Sequence, residues 1–130
     1  MAKKVLLVGH CGPDSSYLRM AIRKAEPTAE ILMADEPREL TDGLAKGVDL
    51  ILFNRELGYG FDQPLGVDVI RKLKLTMPNQ KMMLVSNYPD AQQAAEAAGA
   101  LPGFGKREIG GNRVTELLKD ALGSSTSSAV

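Results

Sequence analysis

Short runs of apolar residues recur along the chain, and they constrain the fold more than any other feature. The central run is residues 48–54, VDLILFN, in which Leu50 to Phe53 follow Asp49 and stop at Asn54. A run of that length that is apolar throughout puts greasy side chains on both faces of an extended segment. That is the condition of a central strand in a parallel sheet. Residues 5–9 (VLLVG), 29–34 (AEILMA) and 81–87 (KMMLVSN) repeat the pattern, and 100–104 is a weaker fifth run broken by Pro102 and Gly103.

Between these runs the apolar spacing becomes helical. Tyr17, Leu18, Ala21, Ile22 and Ala25 share a face, with Asp14 or Ser15 as the expected cap and Pro27 as the stop. Pro37 opens a second helix whose buried side is Leu40 and Leu44, and Gly47 closes it. Val67, Ile70, Leu73 and Met77 form the third stripe, ended by Pro78. Pro89 and Asp90 start an alanine-rich helix through Ala98, capped by Gly99; Gly110 and Gly111 lead into a last helix carrying Val114, Leu117, Leu118 and Leu122. Strands alternating with helices predict an α/β fold with right-handed crossovers. For a chain of this length the expected architecture is a flavodoxin-like, doubly wound (βα)5 unit with a five-stranded parallel sheet in the order 2-1-3-4-5. It is expected to fill residues 1–122, with the small polar tail 123–130 disordered.

Charge and cysteine content narrow the function classes. The 16 Lys and Arg balance the 16 Asp and Glu, so no basic field points to nucleic acid. Cys11 is the sole cysteine, which excludes an internal disulfide and suits a reducing compartment. The apolar run behind Lys3 and Lys4 is too short for a signal peptide or a membrane span. A soluble cytoplasmic protein without membrane or nucleic-acid contacts is expected.

The strand ends then become informative. The spacing of the sheet, the stretch GVDVIRKLKLTMPNQKMMLVSN and the stretch DAQQAAEAAGA followed by GFGK resemble the receiver domain of bacterial response regulators, over residues 3 to about 122. That resemblance implies an acidic pair after the first strand holding Mg²⁺, a phosphoaccepting aspartate ending the third, a Ser or Thr ending the fourth and a Lys after the fifth. By position Ser86 and Lys106 match, with Arg107 where the family usually has proline. The acidic pair falls on Gly9 and His10, the phosphoacceptor on Asn54, and the aromatic before the lysine on Gly103, with Phe104 one place away.

An amide is a very poor nucleophile towards phosphorus. Mg²⁺ prefers hard anionic oxygens, whereas imidazole suits transition metals. Each charge pair in such a cleft is worth roughly 1 kcal/mol in water-like surroundings and about 4 near a protein surface. Three missing anions therefore disfavour the cation by several kcal/mol. The expectation is a degenerate, stand-alone pseudo-receiver in two-component, phosphorelay-type signalling, with no Mg²⁺, no other cofactor and no enzymatic activity.

Each residue also has a plainer reading. Asn54 serves either a ligand or, the favoured reading, as a satisfied polar cap on a strand end. Lys106 with Ser86 and Asn54 leaves either an anion site or, favoured again, a lysine in solvent or paired with Glu56 or Asp14. His10 and Cys11 invite a metal or nucleophile, but no third ligand completes a site, so a structural role is favoured. Tyr59 and Phe61, in the loop GYGFDQPL, are either interface anchors or a cover over the old pocket. Ala91 and Ala95, beside Phe104, offer a partner surface, although helix propensity alone explains the alanines. The expected partners are signalling proteins, a second copy of the chain among them. The alternatives are a sensor whose pocket binds an anion or small molecule, and a regulator phosphorylated at a shifted acid such as Asp62 or Glu56.

Overall fold

The computed structural model describes residues 2–57, 61 and 65–123. The elements run β1 (Lys4–Val8), α1 (Gly12–Ala25), β2 (Glu30–Ala34), α2 (Pro37–Lys46), β3 (Leu50–Asn54), α3 (Gly66–Thr76), β4 (Met82–Val85), α4 (Pro89–Ala97), a 3-10 turn (Lys106–Glu108) and α5 (Asn112–Leu122). The strands form a parallel sheet in the order β2-β1-β3-β4. The run VDLILFN is central as expected, because β3 pairs with β1 on one side and β4 on the other.

Alternation along the strands splits the core into two layers. Val5, Leu7, Leu50, Leu52, Met83 and Val85 face α1 and α5, where Leu18, Ile22, Val114 and Leu118 complete one cluster. Leu6, Val8, Ile51, Phe53, Met82 and Leu84 face the other way, towards Leu40 of α2, Val67 and Ile70 of α3 and Ala95 of α4. Both faces of every central strand are thus covered, which is why those strands carry no polar residue until their ends.

Two expectations need correction. The fifth strand does not form: Leu101 donates its N–H to the Met82 carbonyl at 2.8 Å and Ser86 to the Phe104 carbonyl at 2.9 Å, but only an isolated Val85–Phe104 bridge lies between them. Pro102 has no N–H to give, so a ladder cannot propagate through it. The sheet is four-stranded, 2-1-3-4, with residues 101–105 lying alongside it. The cap of α1 is Cys11, not Asp14 or Ser15, and it makes no side-chain cap bond. Pro13 in the first turn moves the helix start forward, since its fixed φ suits that turn and its missing N–H is not needed there.

Candidate functional site

The carboxyl ends of β3 and β4 meet the Lys106 turn around a cleft of about 270 Å³, lined by Asn54, Arg55, Glu56, Ser86, Asn87, Tyr88 and Lys106 among others. This is where an open α/β sheet presents ligands. Asn54, Ser86 and Lys106 all line this cleft, and Gly9 is tied to Asn54 through its carbonyl.

Asn54 follows Phe53, which pairs with Val8, so the register sets it beside Gly9. Its side-chain nitrogen donates to the Gly9 carbonyl at 3.1 Å and to the Glu56 carbonyl at 2.9 Å. Two carbonyl acceptors require the amide to turn its NH₂ towards them. These two bonds make Asn54 a polar cap on the end of β3 and tie the Gly9 backbone after β1 to the loop after β3. Gly9 sits at φ +76°, and a Cβ there would lie 2.7 Å from Cδ2 of Leu57, so the backbone admits no larger residue without a shift.

His10 lies beneath the cleft and not in it. It is only 5% exposed, and its Nε2 hydrogen bonds the Leu52 carbonyl at 2.9 Å. Because a carbonyl can only accept, Nε2 carries the proton and Nδ1 is the bare nitrogen. Nδ1 is buried without a hydrogen-bond partner, so no such bond links His10 to the exposed thiol of Cys11. Burial lowers the pKa of His10 from its ordinary 6.5, the Leu52 hydrogen bond opposing and Lys106 reinforcing the shift.

Lys106 is not free. Its ammonium lies 2.8 Å from Asp14, one of the two partners weighed for it, and this contact holds the Asp14 carboxyl below its ordinary value. Ser86 is buried, and its Oγ accepts the Tyr88 N–H at 3.1 Å. Arg55 pairs with Glu56 at 3.3 Å and stacks over the Tyr88 ring at 4.6 Å. Each cation of the cleft thus faces an anion of the same chain. The receiver resemblance implies Mg²⁺, but the donors at that position are a glycine carbonyl already bonded to Asn54, a buried imidazole bonded to Leu52, and an amide. This set does not fit Mg²⁺, which asks for carboxylate oxygens and room for its waters.

The predicted partner surface divides. Ala91 is half-buried beside a groove between α3 and α4, but Ala95 and Phe104 are each 1% exposed and belong to the core. Ala95 points from α4 into the sheet, and Phe104 inserts where the fifth strand was expected, so neither meets a partner. Phe61 packs against the core layer that includes Leu40 and lines a groove with residues of α2 and α3, not the Asn54 cleft. Tyr59 and Asp62 lie outside the described residues, as does the tail beyond Gly123.

Sequence reasoning missed Gln92. From α4 its Nε2 donates to the carbonyls of Leu84 (2.9 Å), Ser86 (3.1 Å) and Phe104 (3.2 Å), clamping the segment that carries Lys106 onto β4. A glutamine in an alanine-rich helix gives no signal of this. Arg55 and Tyr88 were also missed, although each stands within three residues of a strand's carboxyl end.

No family model matches the sequence, and no curated protein matches it significantly. Solved structures do. The signal receiver domain of a DNA-binding response regulator from Colwellia psychrerythraea 34H superposes with a TM-score of 0.72 at 20% identity, over 91% of this chain and 96% of that one. The fold is that of a response-regulator receiver domain. The beryllofluoride-activated NtrC4 receiver domain dimer shares the receiver fold with a TM-score of 0.72 at 20% identity, covering 93% and 97% of the two chains. A response regulator from Thermotoga maritima gives 0.70 at 18% identity, covering 95% and 99%. Among the described residues no helix is long and apolar enough to cross a membrane.

Proposed function

We propose that this chain is a pseudo-receiver, a signalling module that recognises partner proteins without aspartyl phosphorylation, without Mg²⁺ and without catalysing a reaction. The observation that carries the reading is the Asn54 amide. Both of its N–H groups are spent on carbonyls, where an aspartate would bring a carboxylate against two oxygens. The local backbone is thus adapted to a donor at the phosphoacceptor position. The ion pair between Lys106 and Asp14 supports the same reading, since the lysine that would meet a phosphoryl group is already neutralised. The receiver fold supports recognition of signalling partners, and the NtrC4 receiver, a dimer, makes a second copy of this chain one candidate.

The test is incubation with Mg²⁺ and a small phosphodonor, read by intact mass and thermal unfolding. No added phosphoryl mass and no shift in the midpoint are expected. An aspartyl phosphate at any position would overturn the reading. Inorganic phosphate or sulfate in the same assay tests the anion sensor, because a ligand that binds the native state raises the midpoint by mass action. A rise abolished by Lys106→Ala would replace the interaction module with that alternative.

A further inference from the structure

His10 is a buried titratable group for which the proposed partner recognition has no use. Its Nε2–H is committed to the Leu52 carbonyl, so any added proton must go to Nδ1, which is buried and without a hydrogen-bond acceptor. The charged groups acting on the ring are Lys106 of the 3-10 turn, Asp14 of α1 and Asp35 of the β2–α2 connection. Asp14 now serves Lys106 at 2.8 Å.

The two cations that would then compete for Asp14 differ in one respect. The Lys106 side chain is 38% exposed and can exchange its carboxylate for water. Protonated His10, 5% exposed, has no water to turn to. An anion shared between a wet and a dry cation goes to the dry one, where removing it would cost more.

We propose that His10, Asp14 and Lys106 form a proton-operated latch, in which protonation of His10 draws Asp14 away from Lys106 and uncouples the first turn of α1 from the Lys106–Glu108 turn. At neutral pH the latch is closed by the Asp14–Lys106 pair. In acid it transfers to Asp14–His10, and the turn that leads into α5 loses its tie to α1 while the Arg107 N–H keeps its bond to Asn87. The signal read at this end of the sheet is then a proton. Such a switch needs only one histidine and a carboxylate with two possible partners.

The test is an NMR pH titration of the labelled protein from about pH 8 to about pH 5, across the range in which a histidine titrates. The expected result is that His10, the amides of Cys11 to Asp14 and those of Lys106 to Glu108 shift along one curve with a midpoint below 6.5. Lys106→Met removes a repelling charge and should move that midpoint up. Asp14→Asn removes the attracting one and should move it down. His10→Gln keeps a donor for Leu52 but cannot titrate, and should abolish the response of the Lys106 turn. Separate curves for the two segments, an unchanged midpoint in both charge variants, or a response that survives in His10→Gln would each overturn the latch. So would a response removed by Asp35→Asn and untouched by Asp14→Asn. If His10→Gln fails to fold, the opposed shifts of the other two variants decide.

Discussion

Asn54 makes two hydrogen bonds through one nitrogen, and that chemistry cannot be copied by a carboxylate of the same shape. Replacing it by aspartate turns two attractions into two repulsions between oxygens. We expect Asn54→Asp to destabilise the fold by about 1 kcal/mol in urea unfolding at neutral pH, the worth of two part-buried or exposed hydrogen bonds lost and replaced by repulsion. The loss should shrink on acidification, when the carboxyl regains a proton to donate. A carboxylate at residue 54 thus weakens this protein, and a variant as stable as the parent would contradict that account. Gly9 shows the same adaptation at the neighbouring position: with φ at +76° and Leu57 above it, any side chain, acidic or otherwise, would be strained and would force Leu57 to shift. The identity of both residues was legible in the sequence, but the bond between them was not. It joins residues 45 apart and depends on the β1–β3 register.

At the scale of elements, apolar periodicity predicted the four strands and five α-helices of the described residues, and one further strand that does not form. β3 and β1 were read correctly because four-residue apolar runs have few uses other than a strand covered on both faces. The fifth run failed because Pro102 interrupts its hydrogen bonding, and a side chain took over part of the work. Gln92 donates to three carbonyls on two segments, replacing ladder bonds with a clamp from α4. Gln92→Ala should accordingly raise amide exchange at Leu101 and Ser86, whose N–H groups hold residues 101–104 to β4. The expected stability cost is about 1 kcal/mol, because three carbonyls lose a part-buried donor. Equal exchange in the variant would show that the two backbone bonds suffice alone. The same clamp explains why Phe104 is core and not surface.

Over the whole molecule, formal charge is zero, yet the carboxylates are not equivalent. Asp14 lies below its ordinary 3.8 chiefly through its hydrogen bond from Lys106, and Glu108 below its ordinary 4.5 chiefly through the Gly105 N–H, with Arg113 adding to it. Both groups bind protons more readily unfolded than folded. Their stabilisation is therefore complete above those ordinary values and is lost as the pH falls through the lowered folded ones. His10 adds an earlier window of the same sign: its folded form resists the proton, so stability begins to fall below 6.5 and continues falling down to its lowered value. Thermal midpoints measured from about pH 7 to about pH 2 should thus fall in two stages. Glu108→Gln should flatten the second stage and leave the first unchanged. A single featureless slope in both proteins would contradict the assignment.

What the sequence determined by itself is the layered α/β architecture, the centrality of VDLILFN and the absence of carboxylates where the receiver resemblance puts them. These follow from local patterns, strand by strand and helix by helix. What only the tertiary structure decided is how the remaining residues are used: Asn54 as a tie between β1 and the loop after β3, Lys106 as the partner of Asp14, His10 as a buried ring with one bare nitrogen. Each of those roles depends on a contact between segments distant in the chain. Such a contact is set by register and packing, and no run of neighbouring residues records it.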